Sequence, residues 1–387
     1  MSRPANQEMA QVIDWPTWPQ YDQAHEDAVL RVIRSNQIFA ATEVAAFEHE
    51  FKEFVGANHA IGVGNATQGL QLVLAALGVG TGDEVIVTPY SWISSASCVL
   101  MQNAIPVFVD IEPETFGICP EALIKAITPR TKAVILVHMF GLCSKVEEIK
   151  EICTAHSIAL VEDGSHAHGA RLREKHLGTF GRVGVFSLHQ RKAISAGDGG
   201  VLCTDDQSFY EKVRRLRSFG DKQLSYNYRM TEFAAAVARV GLTRLEQQND
   251  TRRKNHATLA SNLITARVHL VEASESAKPV FYSNLLLIDL PYQQQEELLT
   301  VANSAGIPLK RTWQPLHKHP HFQRSNMVNN IAPWDNSAED FIEPSCLQLL
   351  NSEEYQENRL FEIDCHPLVD EKTVIKAAYI LTDQIKA

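Results

Sequence analysis

The chain has 387 residues, 45% hydrophobic and 21% charged, which suits one large globular domain with a smaller companion. A formal net charge of -10 leaves no basic surplus to neutralise phosphates and argues against a general nucleic-acid binder. No run reaches ~18 apolar residues, and the opening MSRPANQEMAQVIDWPTWPQ holds none typical of a signal peptide, so a cytoplasmic chain without a membrane span is expected. Beyond the Trp/Pro-rich leader, residues 22–35 and 42–55 have helical apolar spacing. Strand patterns follow at 59–63, 84–88, 105–110, 132–138, 158–163, 183–189 and 200–204, with helical patterns at 67–78, 92–103, 120–127, 144–156 and 206–218. This alternation predicts an α/β domain with a mostly parallel sheet covered by helices, and such sheets bind ligands at the carboxyl ends of their strands. A helix near 230–264, a strand at 281–290, and helices at 293–305 and 371–386 predict a smaller α+β domain. The division expected is an N-terminal arm at 1–25, a large domain at 26–250 and a small one at 251–387. Seven cysteines without a CxxC pair are read as reduced thiols.

Chemistry-bearing residues cluster at strand ends. Lys192 follows VGVFSLH, where partial desolvation lowers an amine pKa and makes the amine nucleophilic; a surface lysine in a loop is the plainer alternative. Asp163 ends IALVED, placed either to pair with a protonated ring nitrogen or to cap a helix. Its neighbour Glu162 faces the other way and is read as structural. GVGNATQGLQLVLAAL puts Thr67 and Gln68 at a helix start, where free N–H groups and the dipole suit a phosphate. Thr67 replaces the third glycine of a dinucleotide fingerprint, which counts against a nicotinamide dehydrogenase. Trp92, past EVIVT, can stack on a ring or belong to the core. A lysine, a carboxylate, a flat aromatic and an anion cradle are what pyridoxal 5'-phosphate demands of a protein.

In order and spacing, LVEDGSHAHGA, VGVFSLHQRKAISAGDGG and YNYRMTEFAAAV resemble the DegT/DnrJ/EryC1/StrS sugar aminotransferases, with support from TPRTKAVILVHMFG and GVGTGDEVIVTPYSWISSAS. The resemblance runs from WPTWPQYD into the C-terminal part. It implies the pyridoxal-phosphate-dependent transferase fold of type I and Lys192 as the lysine that forms the Schiff base and then shuttles the proton. It further implies Asp163 at the pyridine nitrogen, His166 beside the ring, and Trp92 over its face. Ala66, Thr67, Gln68 and Ser187 would meet the phosphate. Asn227 would reach the phosphate of a neighbouring subunit, giving a homodimer with shared sites. His189, Arg229 and His317 are the candidates to touch substrate.

Two departures stand out: Ala66 where glycine is usual, and Arg191 before the lysine, a cation able to depress its pKa or to pair with phosphate. Relatives that dehydrate sugars carry histidine at the lysine position, so Lys192 favours transamination. The implied reaction moves an amino group from glutamate or glutamine to a keto-sugar or keto-cyclitol, in secondary-metabolite or polysaccharide biosynthesis. The leader and SHAHGA favour the keto-cyclitol and aminohydroxybenzoate branch. An aminohydroxybenzoate-synthase-like enzyme and a non-catalytic regulatory relative remain as alternatives. His317, His319 and His321 alternate in PLHKHPHF, but flanking prolines and the lack of other ligands favour a solvated loop over a metal site. Arg214, Arg215 and Arg217 are read as a solvated helix face.

Overall fold

The computed structural model describes residues 12–39, 41–220, 224–322 and 347–386. Its centre is a seven-stranded sheet of β1 (His59–Val63), β2 (Glu84–Val87), β3 (Ile105–Phe108), β4 (Thr131–Val137), β5 (Ala159–Asp163), β8 (Val183–Ser187) and β9 (Gly200–Thr204). The order is β1-β9-β8-β5-β4-β2-β3. Six strands run parallel and β9 runs against them, paired antiparallel to both β1 and β8. EVIV and VGVFS are buried throughout, as strands covered on both faces must be. The covering helices are α1 (Gln23–Ser35), α2 (Thr42–Val55), α3 (Ala66–Leu77), α4 (Ser94–Leu100), α5 (Pro120–Ala126), α6 (Val146–Ala155) and α7 (Gln207–Arg217). Helix α3 begins where Asn65 Oδ1 accepts the Gln68 N–H at 2.9 Å, and Gly78 in the left-handed region ends it. Between β5 and β8 lie β6 (Arg171–Leu172) and β7 (Lys175–His176), which form a small sheet with β11 (Ala277–Lys278).

Helix α8 (Glu232–Asn262) runs unbroken for 31 residues, capped by Thr231, and carries the chain out of this layer. Its first half buries Ala235, Ala238, Leu242 and Leu245 against the lysine loop and α2. Its second half buries Asn249, Arg252, Asn255, His256 and Leu259. A second sheet follows, β10 (Val268–Leu270), β12 (Ser283–Ile288), β13 (Leu309–Arg311) and β14 (Leu360–Asp364), all antiparallel in the order β10-β12-β14-β13. Helices α9 (Tyr292–Ser304) and α11 (Glu371–Lys386) cover it, and the short α10 (Leu350–Glu353) precedes β14. Of these strands the sequence pattern predicts only β12. β10 and β13 have three residues each, too short for a periodicity, and β14 hides its pattern behind a buried glutamate, Glu362.

The leader joins the two layers. Ile13 is buried in the core of the second sheet and its N–H donates to Ala305 O at 2.8 Å. Tyr21, eight residues on, reaches the lysine loop with its hydroxyl 2.8 Å from Ser195 Oγ. No helix among the described residues is long and apolar enough to cross a membrane. The six described cysteines are free thiols, five of them buried.

Candidate active site

Asp163 is the last residue of β5 and is buried. The Ser95 hydroxyl donates to its Oδ2 at 2.9 Å, with Ser91 Oγ 2.8 Å from Ser95 Oγ, and the Ser165 N–H donates to Oδ1 at 3.1 Å. These neutral donors fix the carboxylate without cancelling its charge, leaving lone pairs for a cationic N–H. Glu162, one residue earlier, accepts from the N–H groups of Gly178 and Gly181 and pairs with His138 at 2.9 Å. Alternation along β5 gives one carboxylate to the site and the other to the scaffold.

Lys192 lies in the turn after β8, its N–H on His189 O at 2.8 Å. Its Nζ sits 5.2 Å from the centre of the Tyr282 ring. Burial pushes the amine down to about 8; the Asp163 carboxylate opposes this and Arg191 adds to it. The expected influence of Arg191 is thus present but secondary. His166 stacks on the same Tyr282 ring, 4.2 Å between centroids and 7° from parallel. The Phe140 N–H points at its Nδ1 from 3.3 Å, which leaves the ring proton on Nε2. Burial, then Lys192 and His168, hold this imidazole well below its ordinary range, so it is neutral.

Tyr282 reaches the site through a backbone splice. Its N–H donates to Phe140 O at 2.7 Å, and the Val280 N–H to Gly141 O at 3.1 Å. Gly141 has φ +79, and a Cβ there would sit 2.8 Å from His166 O, so only glycine fits. Trp313, past β13, stands 6.0 Å from His166 and meets Trp92 edge-to-face at 5.8 Å. Trp92 is 59% exposed, which sets it outside the core.

On the far side, Ser187 pairs with Gly200 across β8 and β9, and Gly200 pairs with Val63. A Cβ at Gly200 would come within 2.8 Å of Ala66 N, so this glycine lets the start of α3 close on the end of β8. Ala66, Thr67, Gln68 and Ser187 thus share one corner, with Thr67 Oγ1 2.7 Å from Ser94 Oγ. A helix N-terminus beside hydroxyls, its Gln68 N–H held by Asn65, is a fit cradle for a phosphate, as Lys192 and Asp163 are for an aldehyde and a ring nitrogen.

Other candidates are placed apart. Asn227 is exposed, bridged by its backbone to Ser218. Arg229 lies over Phe39 and Phe219, at 4.4 and 5.2 Å. His189 is exposed. His317 departs from the solvated loop expected of it: it is fully buried, with Nε2 3.1 Å from Glu353 Oε1, because α10 folds back over it. His319 is half-buried, His321 is exposed and the two touch each other, and no cluster fit for a metal occurs among the described residues. Arg217 also leaves the expected solvated face, donating at 2.8 Å to both Glu48 and Gly62 O. Sequence reasoning misses Ser95, Tyr282 and Trp313; only Ser95 has a local signal, one helical turn beyond Ser91.

The DegT/DnrJ/EryC1/StrS aminotransferase family model matches residues 19–357. This chain belongs to that family. The aminotransferase is 32% identical over 342 residues to L-glutamine:2-deoxy-scyllo-inosose aminotransferase of Streptoalloteichus tenebrarius, 78% of each chain. It is 36% identical over 266 residues to 3-amino-5-hydroxybenzoate synthase of Amycolatopsis mediterranei, covering 65% of this chain and 68% of that one. The crystal structure of 3-amino-5-hydroxybenzoic acid synthase superposes on it with a TM-score of 0.87 at 28% identity, over 97% of this chain and all of the other. DesV of S. venezuelae, solved in complex with a ketimine intermediate, gives 0.82 at 28% identity over 94% of both chains. The fold is that of the type I pyridoxal-phosphate enzymes, and pyridoxal 5'-phosphate is the cofactor of this aminotransferase.

Proposed function

We propose that this aminotransferase moves the amino group of glutamine or glutamate onto a ring ketone of a keto-cyclitol or keto-sugar, with Lys192, Asp163 and His166 as its working residues. The observation that carries the assignment is a desolvated amine and a neutral imidazole on the Tyr282 ring, with a hydroxyl-fixed carboxylate near enough to act on the amine's charge. The cofactor, when bound, supplies the carbonyl that accepts the amino group and the electron sink that lets a carbon–hydrogen bond break. Asp163 keeps the ring nitrogen protonated, since a buried carboxylate favours a cation beside it. Lys192, with its pKa near 8, is in part neutral at mildly alkaline pH and can both attack a carbonyl and carry a proton. The Nε2–H of His166 is free to donate to an oxyanion next to the ring. Trp92 and Trp313 offer flat apolar walls to a cyclic acceptor.

Asn227 and Trp92 point outward from this chain, which supports a homodimer in which Asn227 serves the partner's phosphate. Mixing Lys192→Ala chains with an Asn227 variant defective in cofactor binding then restores about a quarter of wild-type activity, one intact site in each mixed dimer. No recovery despite subunit exchange places Asn227 in its own chain's site.

The acceptor class is supported by the relatives named above. Product masses from a panel of keto-cyclitols and nucleotide-linked keto-sugars, with glutamine and glutamate as donors, test it; turnover of none of them overturns it. Formation of 3-amino-5-hydroxybenzoate is the second reading, favoured by the 0.87 superposition, and belongs in the same panel. Cofactor binding without turnover of any acceptor leaves a regulatory relative.

A further inference from the structure

The leader meets the lysine loop at two polar contacts, one of them at Lys192 itself. The Trp18 indole N–H donates to the backbone oxygen of Lys192 at 3.2 Å, across 174 residues of sequence. That indole is itself held by two groups, the His366 ring and the Arg252 guanidinium. The His366 ring, just beyond β14, stacks on it at 5.9 Å and 23°. His366 Nε2 also lies 2.8 Å from Pro16 O, tying the leader's backbone to the same residue. The Arg252 guanidinium of α8 sits 5.4 Å from the indole centre. Arg252 is buried and donates to Asn249 Oδ1 at 3.1 Å, while the Asn249 amide donates to His168 O at 2.8 Å. Upstream, Ile13 is anchored in the second sheet's core, and Gly306 leaves no room for a side chain beside the Ile13 backbone. Downstream, Tyr21 holds Ser195, three residues past the lysine.

We propose that Trp18 is a positioning residue for Lys192: its indole, braced by His366 and Arg252, fixes the lysine turn so that the amine lies over Tyr282. The inference rests on Lys192 being the reactive lysine. A lysine side chain has four rotatable bonds, and the placement of its tip is only as good as that of its backbone. The turn from 189 to 197 is closed by its own hydrogen bonds, Lys192 N–H to His189 O and Gln190 N–H to Gly197 O. The Trp18 N–H and Tyr21 are what dock this turn on the leader. The contact also makes the lysine sensitive to where the four-stranded layer sits. The titratable and charged groups around the amine are Asp163 on β5, His166 and His168 in the loop after it, Arg191 beside it and Glu362 on β14.

The test compares Trp18→Phe, which keeps a ring for His366 and Arg252 and removes the N–H, with Trp15→Phe, a leader tryptophan packed only against the second layer. Two quantities are read: kcat and KM of the loaded enzyme, and the pH dependence of Lys192 labelling by trinitrobenzenesulfonate in the apoenzyme, followed by mass spectrometry. Trp18→Phe is expected to lower kcat about tenfold, the weight of one hydrogen bond, with donor KM within about twofold. Its labelling midpoint moves up toward the ordinary lysine range as the amine leaves its desolvated seat. Trp15→Phe changes neither. Wild-type kcat and midpoint in Trp18→Phe, or equal shifts in both variants, overturn the positioning role. Full activity in Lys192→Ala instead sinks the assignment of the lysine, a separate result.

Discussion

The two sheets supply the site in different ways. The seven-stranded sheet contributes residues from strand ends, Asp163 as the last residue of β5 and Lys192 after β8, each announced by the hydrophobic run before it. The four-stranded layer contributes Tyr282 and Trp313 from just before β12 and just after β13, where the chain is irregular. Parallel sheets expose their carboxyl ends as a matter of topology. An antiparallel cover has no such edge, and what it offers depends on how it docks. Here docking is set by the pairing of residues 140–141 with 280–282, in which Phe140 and Phe281 both take left-handed φ, 54° and 44°. The proposed reactive groups thus come from the layer with a rule, and the aromatic side chains beside them come from the layer without one.

The sharpest test of that division is Lys192→Ala. Turnover should fall by more than about a thousandfold, borohydride should no longer fix the cofactor on this peptide, and the circular dichroism spectrum should stay native. Asp163→Asn comes next. It should hold the cofactor yet lose about a thousandfold in kcat, since roughly 4 kcal/mol separates a carboxylate from an amide beside a cationic nitrogen. Ser95→Ala, which removes one neutral donor from that carboxylate, should cost only about tenfold. A Ser95 effect as large as that of Asp163 would show that the hydroxyl itself takes part in the chemistry.

Changes in the cover should be milder and fall on a different parameter. Tyr282→Phe keeps the ring that carries His166 and should stay within about twofold in kcat, whereas Tyr282→Ala should lose about thirtyfold. Trp313→Ala should raise the acceptor KM about tenfold and leave the donor KM unchanged. A thousandfold loss of kcat in either alanine variant would erase the contrast between the layers.

The smallest effect is on stability against pH. Burial holds His168 down to about 3 and His176 to about 4. Both are neutral in the fold, while the unfolded chain takes up protons near pH 6.5, so stability is present above that value and declines as pH falls from about 6.5 toward 4. Unfolding free energies from urea titrations at pH 7.5 and 5 should differ by at most about 2 kcal/mol for each of the two imidazoles. Replacing His168 with phenylalanine should shrink that difference, and an unchanged pH slope would mean that other groups set it.

Legibility follows the same line between the layers. Lys192, Asp163 and the turn into α3 could be read because each depends on a dozen consecutive residues with a regular period. The role of Glu162 was also readable, from alternation alone. Tyr282 and Trp313 were not, because their place depends on contacts more than 100 residues away. The burial of His317 was hidden for the same reason: Glu353, its partner, lies 36 residues on and the local prolines suggested a surface loop. For Trp92 the exposed ring removes the core reading and leaves stacking on a ring as a proposal.

The four-stranded sheet carries one practical corollary. The family match ends at residue 357, just before β14, although β14 is an inner strand, hydrogen-bonded to β12 on one side and β13 on the other. Helix α11, whose Ala377, Leu381 and Ile385 complete the core beneath it, also lies past that limit. A chain cut at residue 357 would keep Lys192 and Asp163, yet bare two strand edges and an oily face. Such edges recruit other chains. The stretch that the family model matches is therefore shorter than the stretch that closes this sheet, and versions of this protein cut at residue 357 should aggregate while Lys192 and Asp163 are still present.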